Sequence, residues 1–356
     1  MPKKAPEPIF DGHNDVLFRL NKKATKTPER DFIKGDDEGH LDLPRMLKGG
    51  FAGGLFAVYV PPTESLEKLD ELMQGESYDV PLTRLMESHQ ALPTALAMVA
   101  TLIRMERDST GKFKICRTAV EIRECLANGV VAAVMHMEGA EAIDRNLHGL
   151  DVFHQAGLRS LGPVWSRPTI FGHGVPFRYP STGDTGPGLT DVGKALIKAC
   201  NQLGIAIDLS HMTEKGFWDV AKISSKPLIA SHSNAHAVCP HARNLTDRQL
   251  AAIAKSGGLV GLNFATCFLR PDGQIGDSTP IELMLRHLDH LIAKLGVEHV
   301  GFGSDFDGAK VPEAIGDVTG LPVLVAALRK HGFDDLTLSR LCHRNWIEVL
   351  ERSWAG

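Results

Sequence analysis

What most constrains this chain is a repeated alternation, in which short apolar or β-branched runs are each followed by a stretch with helical periodicity. Eight such runs can be read, at 7–13, 51–60, 130–138, 158–165, 204–211, 227–233, 258–265 and 299–306. Between them lie patterns such as DVGKALIKACNQL, TEKGFWDVAKI, TDRQLAAIAKS and IELMLRHLDHLIAKLG, several opening on a Thr or Asp suited to an N-cap. Repetition of this kind builds a parallel sheet, because a helix carries the chain back before the next strand starts in the same direction. Eight units favour a closed (β/α)8 TIM barrel over an open doubly wound sheet, and no GxGxxG follows the first strand to mark a dinucleotide site. With 356 residues, 43% of them hydrophobic, one barrel domain spanning 1–356 accounts for the length. Two segments exceed the simple unit: a long helical excursion after the second strand, and the loop SRPTIFGHGVPFRYPSTGDTGPGLT after the fourth. Long loops at the C-terminal face of a barrel are where substrates are enclosed.

The ends of these strands are unusual. In DGHNDV, His13 and Asp15 are two residues apart, so alternation turns both to one face where strand meets loop. Ionisable groups recur at the other ends: His136 and Glu138 on strand three, Asp208 and His211 on strand five, His232 on strand six, Asp305 and Asp307 on strand eight. Strand two ends without such a group. Branched apolar side chains normally fill a barrel, so imidazoles and carboxylates gathered on one rim mark a reactive face. They are the ligand types that Zn²⁺ prefers, and a surplus carboxylate can bridge two ions.

The rest of the composition narrows the partners. A net charge of −4 with scattered Lys and Arg offers no footprint for nucleic acid. No apolar core of a signal peptide follows Lys3 and Lys4, and no run reaches transmembrane length, so no membrane attachment is expected. Six cysteines lie far apart without a CxxC pair and read as reduced core residues, which suits the cytoplasm. A small-molecule substrate is expected, with a homodimer as the expected assembly.

DGHNDV, HMEGAEAI, IDLSH, ASHSNAHAVCPHARNLTD and VGFGSDFDG, in this order over nearly the whole chain, resemble the membrane (renal) dipeptidases of peptidase family M19. The resemblance implies a (β/α)8 barrel that holds two zinc ions and cleaves free dipeptides. It implies that His13 and Asp15 bind one ion, that Glu138 bridges both, and that His211 and His232 bind the other. Asp305, the first acid of SDFDG, matches the acid/base residue, and Arg243 of HARN matches the arginine that holds the substrate carboxylate. The chemistry agrees: two ions sharing one water lower its pKa and polarise the scissile carbonyl, and a nearby carboxylate moves the proton to the leaving amine.

One position departs from the pattern. Family members often carry a histidine at the end of strand four that hydrogen-bonds the reacting oxygen, where this chain has Trp165. His173, in FGHG further along the loop, is the substitute the sequence offers, and Trp165 is suited to packing against a substrate side chain. Two other classes remain open to a barrel of this kind. One is an amidohydrolase acting on a cyclic amide, lactone or phosphoester, but many of these bridge their metals with a carboxylated lysine, and no lysine ends a strand here. The other is a non-catalytic metal-binding barrel, which would have lost the acid/base residue that Asp305 supplies.

Overall fold

The computed structural model describes residues 6–23, 25–64, 69–276 and 278–355. Its ring of strands is β1 (Ile9–Asn14), β2 (Phe51–Tyr59), β3 (Val131–Glu138), β4 (Leu158–Gly162), β5 (Ala206–Ile207), β6 (Ile229–Ala230), β7 (Leu259–Asn263) and β8 (Val300–Gly303). Each strand pairs in parallel with its neighbour in the chain and β8 returns to β1. A parallel bridge between Asp208 and Ile229 joins β5 to β6, so the ring closes.

All eight apolar runs carry a strand, yet β5 and β6 are only two residues long. The reason is chemical. Asp208 Oδ1 accepts the backbone N–H of Ser210 (3.0 Å) and of Ser231 (2.8 Å), so a side chain takes over where the ladder would have continued. A short strand not expected from the sequence, Phe113–Ile115, pairs with the first residues of β3.

Register decides what meets at the C-terminal face. Tyr59 on β2 lies opposite Glu138 on β3, and Glu138 opposite Gly162 on β4, so three strand ends finish level. Above them the two long loops are tied together: Tyr78–Asp79 pairs antiparallel with Arg178–Tyr179, and the hydroxyls of Tyr78 and Tyr179 donate to the carbonyls of Gly273 (2.6 Å) and Pro271 (2.5 Å). The excursion after β2 is dominated by the helix Ser88–Asp108, which buries Ala91, Ala95, Met98, Leu102 and Met105 and leaves Leu92, Leu96 and Ile103 exposed on another face.

The opposite end of the barrel is plugged by Trp346, fully buried on the helix Asn345–Trp354 among Phe10, Leu55, Val134 and Leu259. Its indole Nε1 donates to the carbonyl of Phe302 at 2.9 Å. Gly12 and Gly301 make room for it, since a Cβ on either would come within 2.3 Å and 2.6 Å of the indole.

Candidate active site and metal centre

His13 projects from β1 and Asp15 stands one residue past its end, while Glu138 is the last residue of β3. His211, His232 and Asp305 follow the short strands β5, β6 and β8. His211 and Asp305 hold left-handed backbone at φ 67° and 61°. Such a conformation costs of order 1–3 kcal/mol for a non-glycine residue and is kept where surrounding structure enforces it.

The side chains converge on Glu138. Its Oε2 lies 3.7 Å from His13 Nε2, which in turn is 3.2 Å from Asp15 Oδ2. Its Oε1 lies 3.1 Å from His211 Nε2 and 3.4 Å from His232 Nε2. One carboxylate therefore turns one oxygen to His13 and the other to His211 and His232, and these groups adjoin, the His13 and His232 rings stacking at 3.9 Å between centroids. Donor atoms of His13, Glu138 and His232 lie within 4.8 Å of one another, as do those of His13, Asp15 and Asp305. His211 and His232 bring their Nε2 atoms to 3.0 Å, so two imidazole nitrogens lie side by side next to Glu138 Oε1. The donor set of imidazoles and carboxylates thus fits a borderline divalent metal.

The electrostatics of these side chains bear on the same question. Burial, with Arg243 and His13 as further causes, pushes His211 well below its ordinary range, and burial with His13 and Arg243 does the same to His232. Both therefore stay neutral, the form that ligates. Burial opposes charge on His13 as well, but Glu138 and Asp15 overcome it and hold the ring up to about 10. Burial also raises Glu138 well above the usual carboxylate range, and raises Asp305. Crowded carboxylates and imidazoles that disturb one another this much form a donor set that a bound cation would stabilise.

Around the centre, Asp305 Oδ2 accepts from Asn263 Nδ2 at 2.8 Å, and Ser166 Oγ lies 2.8 Å from His211 Nδ1. Arg243 is buried behind His232: its Nη2 donates to the His232 carbonyl (3.0 Å), its Nη1 to Ser233 Oγ (3.3 Å), and its Nε has no hydrogen-bond partner among the described residues. Trp165 stands beside this cluster, 5.8 Å from the His211 ring and 5.1 Å from Tyr59 between centroids. His173 is placed elsewhere. Its Nδ1 faces the carbonyl of Gly188 at 3.4 Å within its own loop, and it is not among the residues lining the cleft.

A sequence profile of the membrane dipeptidases, peptidase family M19, matches residues 4–354. The chain belongs to the M19 family. A crystal structure of a metallo peptidase from Rhodobacter sphaeroides, liganded with a phosphinate mimic of the dipeptide L-Ala-D-Ala, is 57% identical, with a TM-score of 0.96 over 98% of this chain and 100% of that one. The dipeptidase AC, a metallo peptidase of family M19, is also 57% identical with a TM-score of 0.96, over 99% of this chain and 100% of that one. An uncharacterized protein in the pqqA 5′ region of Klebsiella pneumoniae is 48% identical over 256 residues, 72% of this chain and 94% of that protein. The chain is a metal-dependent dipeptidase with a TIM-barrel fold.

Three features of this M19 dipeptidase escape the sequence reading. Strand two does end on a polar group. Tyr59 lines the cleft with Asp15, Glu138, Trp165, His211 and Asp305, and its buried hydroxyl has no partner among the described residues. It was hidden in an apolar run, and only its register opposite Glu138 exposes it. Burial, with Glu138 and Asp15 nearby, holds its hydroxyl firmly protonated. Asp307, grouped with the rim by sequence, turns away to Arg19 Nε at 3.0 Å and accepts the His40 N–H at 2.5 Å. His136 and Asp208, also placed at the rim, sit one layer deeper, since His136 precedes Glu138 by two residues on the same strand face.

Proposed function

We propose that this enzyme holds two zinc ions, one on each side of Glu138, and hydrolyses free dipeptides, including those with a C-terminal D-residue. The observation that carries this reading is the division of Glu138, with Oε2 turned to His13 and Oε1 to His211 and His232. His13 and Asp15 would hold one ion, His211 and His232 the other, with Glu138 shared. Bound there, the ions supply Lewis acidity to an attacking water and to the scissile carbonyl.

The chain's own groups do the rest. Asp305, steadied through Oδ2 by Asn263, takes the proton from the attacking water and returns it to the leaving amine; its burial-raised pKa suits both halves of that exchange. Arg243 receives the substrate's free carboxylate in its planar fork, with the unpaired Nε as a donor. Trp165 walls the side-chain space next to His211, and His173 braces the loop behind it. The Tyr59 hydroxyl, protonated and without a partner, is the donor we assign to the substrate oxygen in place of the strand-four histidine.

The free thiols of all six cysteines support a cytoplasmic location. The exposed Leu92, Leu96 and Ile103, which fall on one face of their helix, support a homodimer. The reading is tested by metal analysis combined with a screen of the zinc-loaded enzyme against L,L- and L,D-dipeptides, their blocked forms and tripeptides. Two equivalents of zinc per chain and cleavage restricted to free dipeptides are expected. One equivalent at full activity would remove the second site.

A further inference from the structure

His136 and Asp208 lie fully buried beneath the ligand residues and take no part in the reaction described above. Asp208 is held by three donors. Its Oδ1 accepts the N–H groups of Ser210 and Ser231, and its Oδ2 lies 2.5 Å from Ser231 Oγ. A serine hydroxyl has a single hydrogen, and a contact this short to a carboxylate places it there. The same Ser231 Oγ is 2.7 Å from His232 Nδ1. With its hydrogen spent on Asp208, Ser231 can only accept from that nitrogen. His232 therefore carries its hydrogen on Nδ1, and Nε2, the atom that faces Glu138 Oε1 and His211, keeps a free lone pair.

His136 lies on the far side of the same carboxylate, beyond hydrogen-bond distance of it. Its Nε2 is 3.6 Å from Asp208 Oδ2, its Nδ1 is 2.9 Å from Ser160 Oγ, and its ring meets His13 edge-on at 5.5 Å between centroids. The buried layer under the metal residues thus runs from the back of one imidazole ligand to the back of another.

We propose that Asp208, acting through Ser231, is a positioning residue for the metal centre: it sets the tautomer and ring orientation that present His232 Nε2 to the metal. The inference rests on His232 being a ligand, as proposed above. Partners of this outer kind change metal affinity by about 10- to 100-fold when removed.

The test strips the protein of metal and titrates zinc against a chromophoric chelator in the wild type, Ser231→Ala, Ser231→Cys, Asp208→Asn, the Asp208→Asn/Ser231→Ala double variant and His232→Ala. It also records the imidazole nitrogen signals of ¹⁵N-histidine-labelled, metal-free protein. Ser231→Ala is expected to weaken zinc binding about 10- to 100-fold. It should also move the His232 nitrogen signals away from the Nδ1–H tautomer and leave the melting temperature of the metal-free protein close to wild type. Ser231→Cys, with its weaker donor, should fall between. Asp208→Asn combined with Ser231→Ala should be no worse than the more affected single variant, since both interrupt one relay. Wild-type zinc affinity in Ser231→Ala, or unmoved His232 signals, overturns the proposal. So does a loss accompanied by shifts of all the histidine signals and a collapsed melting temperature, which would mean general unfolding. His232→Ala separates the two levels of argument: if it binds zinc as wild type does, the ligand assignment fails and the relay with it.

Discussion

Replacing Arg243 by Met tests how the enzyme measures the length of its substrate. The guanidinium is 4% exposed and commits two N–H groups, to Ser233 Oγ and the His232 carbonyl, leaving Nε and part of the fork for an incoming carboxylate. Methionine keeps the bulk of the stem beside Phe268 and removes the charge. It also removes the donors to Ser233 Oγ and the His232 carbonyl, so the part shared with the substrate is one charge-assisted interaction of about 1.5–3 kcal/mol, or about 10- to 160-fold in kcat/KM. Amidating the C-terminus of the dipeptide deletes the same interaction from the other side. Measured as a double cycle, variant and amide should each lose that amount, and together little more than either alone. Arg243→Lys, which keeps the charge without the fork, should recover only part of the loss. Fully additive losses, or efficient cleavage of tripeptides by the wild type, would refute the idea that this arginine reads the free carboxylate.

Three further outcomes follow from the same geometry. Asp305→Asn should retain its metal, measured by elemental analysis, while kcat falls about 10²–10⁴-fold, and a variant with near-normal kcat would remove Asp305 from proton transfer. His287, buried on the helix Ile281–Leu295 between the Ala235 N–H and the Leu269 carbonyl, is pushed down to about 4 by burial. Its unfolded form binds a proton first as pH drops, so stability is full above about 6.5 and is lost at up to about 1.4 kcal/mol per pH unit down to about 4. Urea melts of His287→Gln should lack that slope. Trp346→Ala should cost about 3–5 kcal/mol, read as a lower midpoint in chemical denaturation, because it opens a cavity among Phe10, Leu55, Val134 and Leu259.

The architecture was legible because its signal is local and repeated: each strand is a short apolar run next to a helix, and eight of them leave few alternatives. The ligand-type residues were legible for a related reason, since an imidazole or carboxylate at the end of such a run has no place in a packed barrel. What escaped is what depends on register or on pairing across the chain. Tyr59 reads as the tail of an apolar strand until its position opposite Glu138 is known. The ribbon between Tyr78–Asp79 and Arg178–Tyr179 joins segments about a hundred residues apart, and neither has strand character alone. His136 was placed at the rim because sequence shows that a residue faces inward but not how deep it lies. The shortness of β5 and β6 was hidden too, because Asp208 replaces ladder hydrogen bonds that a sequence pattern takes for granted.

The Trp346 plug also bears on how the chain is made. β1 ends at residue 14, yet its second neighbour is β8 at 300–303, and the base they share is filled from residue 346. A ribosome adding about 5–20 residues per second needs tens of seconds to deliver those pieces. Until then β1 stands at an open sheet edge above an unfilled base, the kind of surface that recruits other strands. The barrel can begin to form early, but it cannot be sealed before residue 346 has been delivered, so the vulnerable interval falls on β1 while the later strands are still being made.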